Sequence, residues 1–192
     1  MQLNNLKQLK RLDKGKVGES ISLLPNQVKQ VLDDTRLIKI PDSSKVSEIV
    51  VNGMGGSNLG AGIIKAVFSK ELSVPLSIVP GYNVPKSVNK NTLYIISSYS
   101  GSTEEPLSAY SRAKKQGARI MAITSDNPKS KLARLMKKDN ISGYIFKPIY
   151  NPSNQPRLGL GYSIFGMIIM LNKAGLLRIK TEEIKKLVLL II

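Results

Sequence analysis

The chain has 192 residues, 42% of them hydrophobic, enough for one domain with an extension and a buried core. It has no Cys, His or Trp, which excludes a disulfide framework, a thiolate nucleophile, a Ser-His-Asp triad and a Cys- or His-built metal site, so acid–base chemistry must come from Asp, Glu, Lys, Tyr or water. The net charge of +16 is scattered without a long basic tract, which suits surface lysines and attraction of a small phosphorylated ligand better than nucleic acid.

The elements follow in chain order. Aromatic residues are only 5%, so the core is expected to rest on Ile, Leu, Val, Ala and Met. Residues 1–45 read as a helical extension: Leu3, Leu6, Leu9 and Leu12 recur near one helical face, Gly15 and Gly18 break it, and a second amphipathic segment runs from about Ile21 to Leu37. The N-terminal stretch has no apolar signal region, and Pro41–Ser44 reads as a linker. From Glu48 short strands alternate with helices: strands 48–53, 76–80, 92–98, 119–125 and 143–147, and helices 58–69, 104–116, 128–138 and 160–177. Gly117 is placed as a C-terminal stop and Pro128 in the first turn of its helix. The alternation predicts an α/β fold, a five-stranded parallel sheet with helices on both faces in a Rossmann-like three-layer sandwich, with ligands beyond the carboxyl ends of the strands. The most apolar runs, Ile164–Leu171 and Leu187–Ile192, are shorter than the ~20 residues that span a bilayer, and a cytoplasmic protein with no membrane partner is expected.

Two Gly/Ser loops fall at strand ends. Gly53-Met54-Gly55-Gly56-Ser57 lets backbone amides approach a ligand, and Ser57 can cap the following helix; taken alone, a tight strand-to-helix turn explains it equally well. It is neither a Walker A loop, since no GK[ST] follows, nor a dinucleotide fingerprint, since Asn58 stands where the third glycine belongs and no acid ends the second strand. Ser97–Glu105, SSYSGSTEE, sets five hydroxyls before a helix start, which suits a phosphate monoester. A capping box of Ser102 with Glu105 accounts for those two residues, and not for Ser98, Ser100 and Thr103. In Gln155-Pro156-Arg157-Leu158-Gly159, Arg157 offers a charged fork to an oxyanion, although a lone arginine is ordinarily a surface or salt-bridge residue.

GMGGS, SYSGSTEE and PRLGLGY, in this order and spacing, resemble the bifunctional phosphoglucose/phosphomannose isomerases of the sugar isomerase (SIS) superfamily, whose motifs are close to GMGGSGIGG, SYSGNTEE and PR-x-x-x-GY. The resemblance covers roughly residues 45–177, with Asn58 in place of a family Gly and Ser102 in place of an Asn. It implies one SIS domain over 46–178, with 179–192 a C-terminal helix or the start of a further domain. It implies a sugar pocket lined by Gly55, Gly56 and Ser57, a phosphate held by Ser98, Ser100 and Thr103, and Arg157 steadying an enediolate. The implied reaction interconverts glucose 6-phosphate or mannose 6-phosphate with fructose 6-phosphate, without a metal or other cofactor.

By the same resemblance the catalytic Glu and His belong to a second SIS domain or subunit, and this chain has no His. Glu104 and Glu105 read as partners of a helix dipole rather than as the base, and Asp126 as an N-cap. The expected partners are therefore a small phosphorylated sugar and either a second copy or a second SIS-domain chain. The chain is expected to be half of a split enzyme or a truncated product. The alternative function is a non-catalytic phosphosugar-binding or regulatory SIS module; a basic nucleic-acid-binding protein is the weaker third reading.

Overall fold

The computed structural model describes residues 6–180 together with 182, 183 and 186. Five parallel strands, β1 (Glu48–Gly53), β2 (Leu76–Ile78), β3 (Thr92–Ser97), β4 (Arg119–Ser125) and β5 (Ser142–Phe146), form one sheet in the order β2-β1-β3-β4-β5. β1 and β4 coincide with the sequence expectation; β2 and β3 end earlier, and β5 starts and ends one residue earlier.

The pleat sends alternate side chains to opposite faces. Ile49, Val51, Leu93, Ile95, Met121, Ile123, Tyr144 and Phe146 face α3 (Leu24–Asp33), α4 (Leu59–Val67) and α7 (Leu160–Lys173). Val50, Tyr94, Ile96 and Ala122 face α5 (Glu104–Lys115) and α6 (Lys131–Lys138). The three-layer α/β sandwich follows from this two-sided burial. The core is less aliphatic than composition suggests: Tyr94, Tyr144, Tyr162 and Phe146 are among its largest fully buried side chains. The tyrosines are affordable there where the hydroxyl finds a partner, as Tyr144 does on Asp34 Oδ2 at 2.7 Å and Tyr162 on Gln30 Oε1 at 2.8 Å.

The N-terminal segment differs in detail from expectation. α1 is Leu6–Leu12 and α2 is Val17–Ser22, so Gly18 lies inside a helix instead of breaking one. The break comes before it: Lys16 takes a left-handed φ of 54°, and the Asp13 carboxylate accepts from the amides of Val17 and Gly18, both at 2.8 Å. Leu3 and the apolar run Leu187–Ile192 lie outside the described residues, as does most of the segment 179–192. The expected linker at Pro41–Ser44 is tied down, because Arg119 donates to both the carbonyl and the carboxylate of Asp42.

Two helix starts are corrected. α6 begins at Lys131, not Pro128, because Ser130 is its N-cap and accepts from Ala133 N at 3.0 Å. Asp126 is no cap; it pairs with Lys137 at 3.0 Å. α5 is capped by Thr103, so Ser102 and Glu105 form no capping box, and the Ser102 hydroxyl donates to Lys129 O at 2.7 Å instead. Among the described residues no helix is long and apolar enough to cross a membrane.

Candidate functional site

β1 and β3 are hydrogen-bonded neighbours, and their register pairs Gly53 with Ser97. The two Gly/Ser loops therefore leave the sheet side by side, at the carboxyl ends where the sequence places a ligand. A cleft of about 340 Å³ opens there, lined by Met54, Gly55, Gly56, Ser57, Tyr99, Ser100, Thr103, Gln155, Pro156 and Arg157. All three sequence motifs meet on it. Of the expected site residues, Gly55, Gly56, Ser57, Ser100, Thr103 and Arg157 line the cleft, and Ser98 does not.

Each loop has a local cause. After β1 the chain turns through a short 3-10 segment, Gly55–Asn58, with Gly55 at φ +51°, a region costly for side chains. Asn58 closes the turn, its Nδ2 donating to Gly53 O at 2.6 Å. Ser57 does not cap α4; its hydroxyl accepts from Tyr99 N at 3.0 Å, and its carbonyl accepts from Ser97 Oγ at 2.7 Å. Ser57 thus stitches the first loop to the second.

In the second loop Ser98 is buried, and its hydroxyl accepts from Gly101 N at 3.1 Å and shares a 3.1 Å hydrogen bond with Thr103 Oγ1. Ser98 shapes the loop from behind. Ser100 and Thr103, 3.3 Å apart through their hydroxyls, present oxygens to the cleft. Thr103 caps α5 without a side-chain bond, so the Glu104 and Glu105 amides at the start of this twelve-residue helix stay open, while Pro106 has no N–H to offer. Open amides, the positive end of the helix dipole and two hydroxyls suit a phosphate monoester.

Arg157 sits in a 3-10 turn, Pro156–Leu158, on the facing wall. Its stem crosses Gly56, and among the described residues its guanidinium makes no hydrogen bond or ion pair. It is an uncommitted cation above a hydroxyl-lined floor. Among the described residues the cleft lining contains no carboxylate. Glu104, next to Thr103, accepts from the Tyr82 hydroxyl at 3.3 Å, and it raises the proton affinity of that phenol only after burial and Glu105 have done so. Among the described residues no group of three or more Asp or Glu side chains gathers where a metal ion could be held.

Sequence reasoning missed the residues that hold the Arg157 turn. Gln27, on α3 and fully buried, donates to Tyr150 O at 3.0 Å and Leu158 O at 2.8 Å, and its Oε1 accepts from Gly161 N at 3.1 Å. Asn151 bonds the Tyr99 hydroxyl and Gln155 O. Both contacts join positions far apart in the chain, and a lone Gln on an amphipathic helix gives no signal. The Asn-Pro-Ser-Asn run at 151–154 was a visible turn signal.

No family model matches the chain. Curated relatives do. It is 34% identical over 172 residues to the bifunctional phosphoglucose/phosphomannose isomerase of Caldicellulosiruptor bescii, a match spanning 88% of this chain and 48% of that protein. It is 33% identical over 138 residues to the enzyme of that name from Thermoplasma acidophilum, spanning 68% of this chain and 44% of the relative. The chain therefore spans about half the length of the curated relatives it matches. Among solved structures, a proposed phosphosugar isomerase from Clostridium difficile 630 superposes with a TM-score of 0.63 at 15% identity, over 91% of this chain and 50% of that one. The C-terminal domain of glucosamine-fructose-6-phosphate aminotransferase from Francisella tularensis superposes with a TM-score of 0.58 at 19% identity, over 90% and 50%. By sequence this chain is a relative of the bifunctional phosphoglucose/phosphomannose isomerases over about half their length, and its fold is that of the phosphosugar isomerases.

Proposed function

We propose that the chain is the phosphosugar-binding half of an aldose–ketose isomerase acting on glucose 6-phosphate, mannose 6-phosphate and fructose 6-phosphate, in the cytoplasm and in glycolysis and gluconeogenesis. The observation that carries the reading is the meeting of three separate motifs on one cleft of about 340 Å³. Ser100, Thr103 and the α5 amides hold the phosphate. Gly55, Gly56 and Ser57 bring backbone against the sugar, with Ser98 bracing the hydroxyl loop behind. Arg157 stabilises the oxygen on which negative charge develops as the proton moves between C1 and C2.

That transfer needs a base, and the cleft lining supplies no carboxylate. We propose that a second domain of this fold supplies it. Support comes from the half-length match to the relatives and from α4. Its outer face exposes Leu59, Ile63 and Val67 in one stripe starting beside the cleft. Apolar side chains aligned in this way suit a protein partner.

The test is a calorimetric titration of the chain with fructose 6-phosphate, against fructose and inorganic phosphate. Saturable binding of the phosphosugar, weakened by Ser100→Ala and by Arg157→Ala, is expected. A folded chain that ignores the phosphosugar would remove the binding role. The missing carboxylate also favours a second reading, a phosphosugar-responsive module without catalysis. Turnover that appears when a second domain is supplied excludes that reading; binding without turnover in the completed assembly supports it.

A further inference from the structure

Tyr99 belongs to the hydroxyl loop and is 6% exposed, yet it touches all three motifs. Its amide donates to Ser57 Oγ at 3.0 Å. Its carbonyl accepts from Ser125 Oγ at 2.7 Å and Ser125 N at 3.1 Å, which fastens the loop to the end of β4. Its ring lies 5.6 Å from Phe146, which in turn stacks on Tyr162 at 4.5 Å. Gly159, two residues after Arg157, rests against the ring so closely that any Cβ there would collide with it. Its hydroxyl accepts from Asn151 Nδ2 at 2.6 Å, and the same nitrogen donates to Gln155 O at 2.9 Å, two residues before Arg157. Asn151 is itself buried at 2% exposure. The turn bearing Arg157 is therefore gripped on both flanks by one tyrosine, directly at Gly159 and through Asn151 at Gln155.

Among the described residues Arg157 has no side-chain partner of its own, so the place of its guanidinium is inherited from this turn. We infer that Tyr99 and Asn151 are a positioning pair that fixes Arg157 relative to the hydroxyl loop, and that this spacing favours a phosphate carrying a polyol body over a bare phosphate ion. The inference rests on the phosphosugar reading of the cleft. A sugar phosphate can engage the hydroxyl loop with its phosphate and Arg157 with a sugar oxygen, whereas a bare phosphate held at the loop has no second end to offer. The Tyr99 hydroxyl takes no part as an acid, because burial pushes it up to about 12 and it keeps its proton over the working range.

Two substitutions separate the contacts. Tyr99→Phe removes the hydroxyl and keeps the ring. Asn151→Asp replaces the donor to the Tyr99 hydroxyl by an acceptor, so that bond survives only with the hydroxyl turned round to donate, and it sets a carboxylate oxygen against Gln155 O. Both are read by calorimetry with fructose 6-phosphate and with inorganic phosphate, by thermal midpoint, and by 15N relaxation of the backbone at 155–159. For Tyr99→Phe the expected result is about three- to tenfold weaker fructose 6-phosphate binding, the scale of one hydrogen bond, with inorganic phosphate affinity unchanged. Arg157→Ala added to Tyr99→Phe should cost less than it does alone. Backbone order should fall at 155–159 and hold in β1 and β3. Equal losses for both ligands, or undiminished order at 155–159 in both variants, would overturn the pairing. If the parent chain binds neither ligand, the phosphosugar reading fails, and the relaxation data judge the positioning role by themselves.

Discussion

Gly56 lies directly under Arg157: a Cβ placed on it would meet Arg157 Cγ at 3.3 Å and the Arg157 backbone at 3.6 Å. Its backbone conformation is open to any residue, since its φ is not positive, whereas the neighbouring Gly55 has φ +51° and empty space around it. The two glycines are needed for opposite reasons. Gly56→Ala should push the Arg157 stem aside by tenths of an ångström and weaken fructose 6-phosphate binding several-fold, while changing stability by less than about 1 kcal/mol. Gly55→Ala should lose about 1 kcal/mol of stability to a left-handed alanine, a strain that Gly56→Ala does not carry. Thermal denaturation and calorimetry on the two variants check the difference.

The hydroxyl loop divides into framing and facing groups. Ser98→Ala removes the acceptor for Gly101 N inside the protein and should cost about 1–3 kcal/mol of stability. Ser100→Ala removes a hydroxyl that lines the cleft and should lower phosphosugar affinity with little loss of stability. Denaturant melts beside binding isotherms distinguish the two.

Gly101 is the tightest point of that loop. It sits at φ +64°, and a Cβ would run into the Ser130 hydroxyl and come within 2.7 Å of Thr124 Oγ1. Both oxygens are buried and share a 3.3 Å hydrogen bond. Gly101→Ala combines backbone strain with overpacking and should destabilise the fold by about 2–4 kcal/mol, seen as a lower urea midpoint at unchanged m-value.

The tie between Asp42 and Arg119 makes a pH prediction. The Ser44 amide, then the Ser44 side chain and Arg119, hold the Asp42 carboxyl down from 3.8 to about 2. A depressed carboxyl contributes stability above its unfolded value and loses it as the pH falls through its folded value. The thermal midpoints of the parent and Asp42→Asn should therefore differ above about pH 4 and converge as the pH nears 2. A constant gap across that window would remove the carboxylate from the explanation.

The sheet was readable because burial on both faces leaves strands as continuous β-branched runs, and β1 and β4 stand out at their full lengths. Which strand ends carry the cleft was equally readable from Gly and Ser placement. Helix starts were harder, since Ser102, Thr103 and Ser130 are all plausible caps and only the path of the chain selects among them. Pro128 resembled a first-turn proline, but the capping hydroxyl two residues later decided the start. The links that assemble the cleft were not readable at all. Ser57 with Tyr99, Tyr99 with Asn151, and Gln27 with the Arg157 turn are contacts between distant positions, and such contacts leave no periodicity.

Gln27 has one further consequence. All three hydrogen bonds that its amide makes go to the segment 150–161, and α3 holds the chain just before that segment where Gln30 Nε2 donates to Lys147 O at 2.9 Å. The helices preceding the sheet are thus a clasp on the far wall of the cleft. A fragment trimmed to begin at β1, the natural choice for isolating the sandwich, would keep its strands and its hydroxyl loop and lose its hold on the arginine. Such a fragment would retain whatever affinity the loop has for bare phosphate and forfeit the ability to tell a sugar phosphate from it.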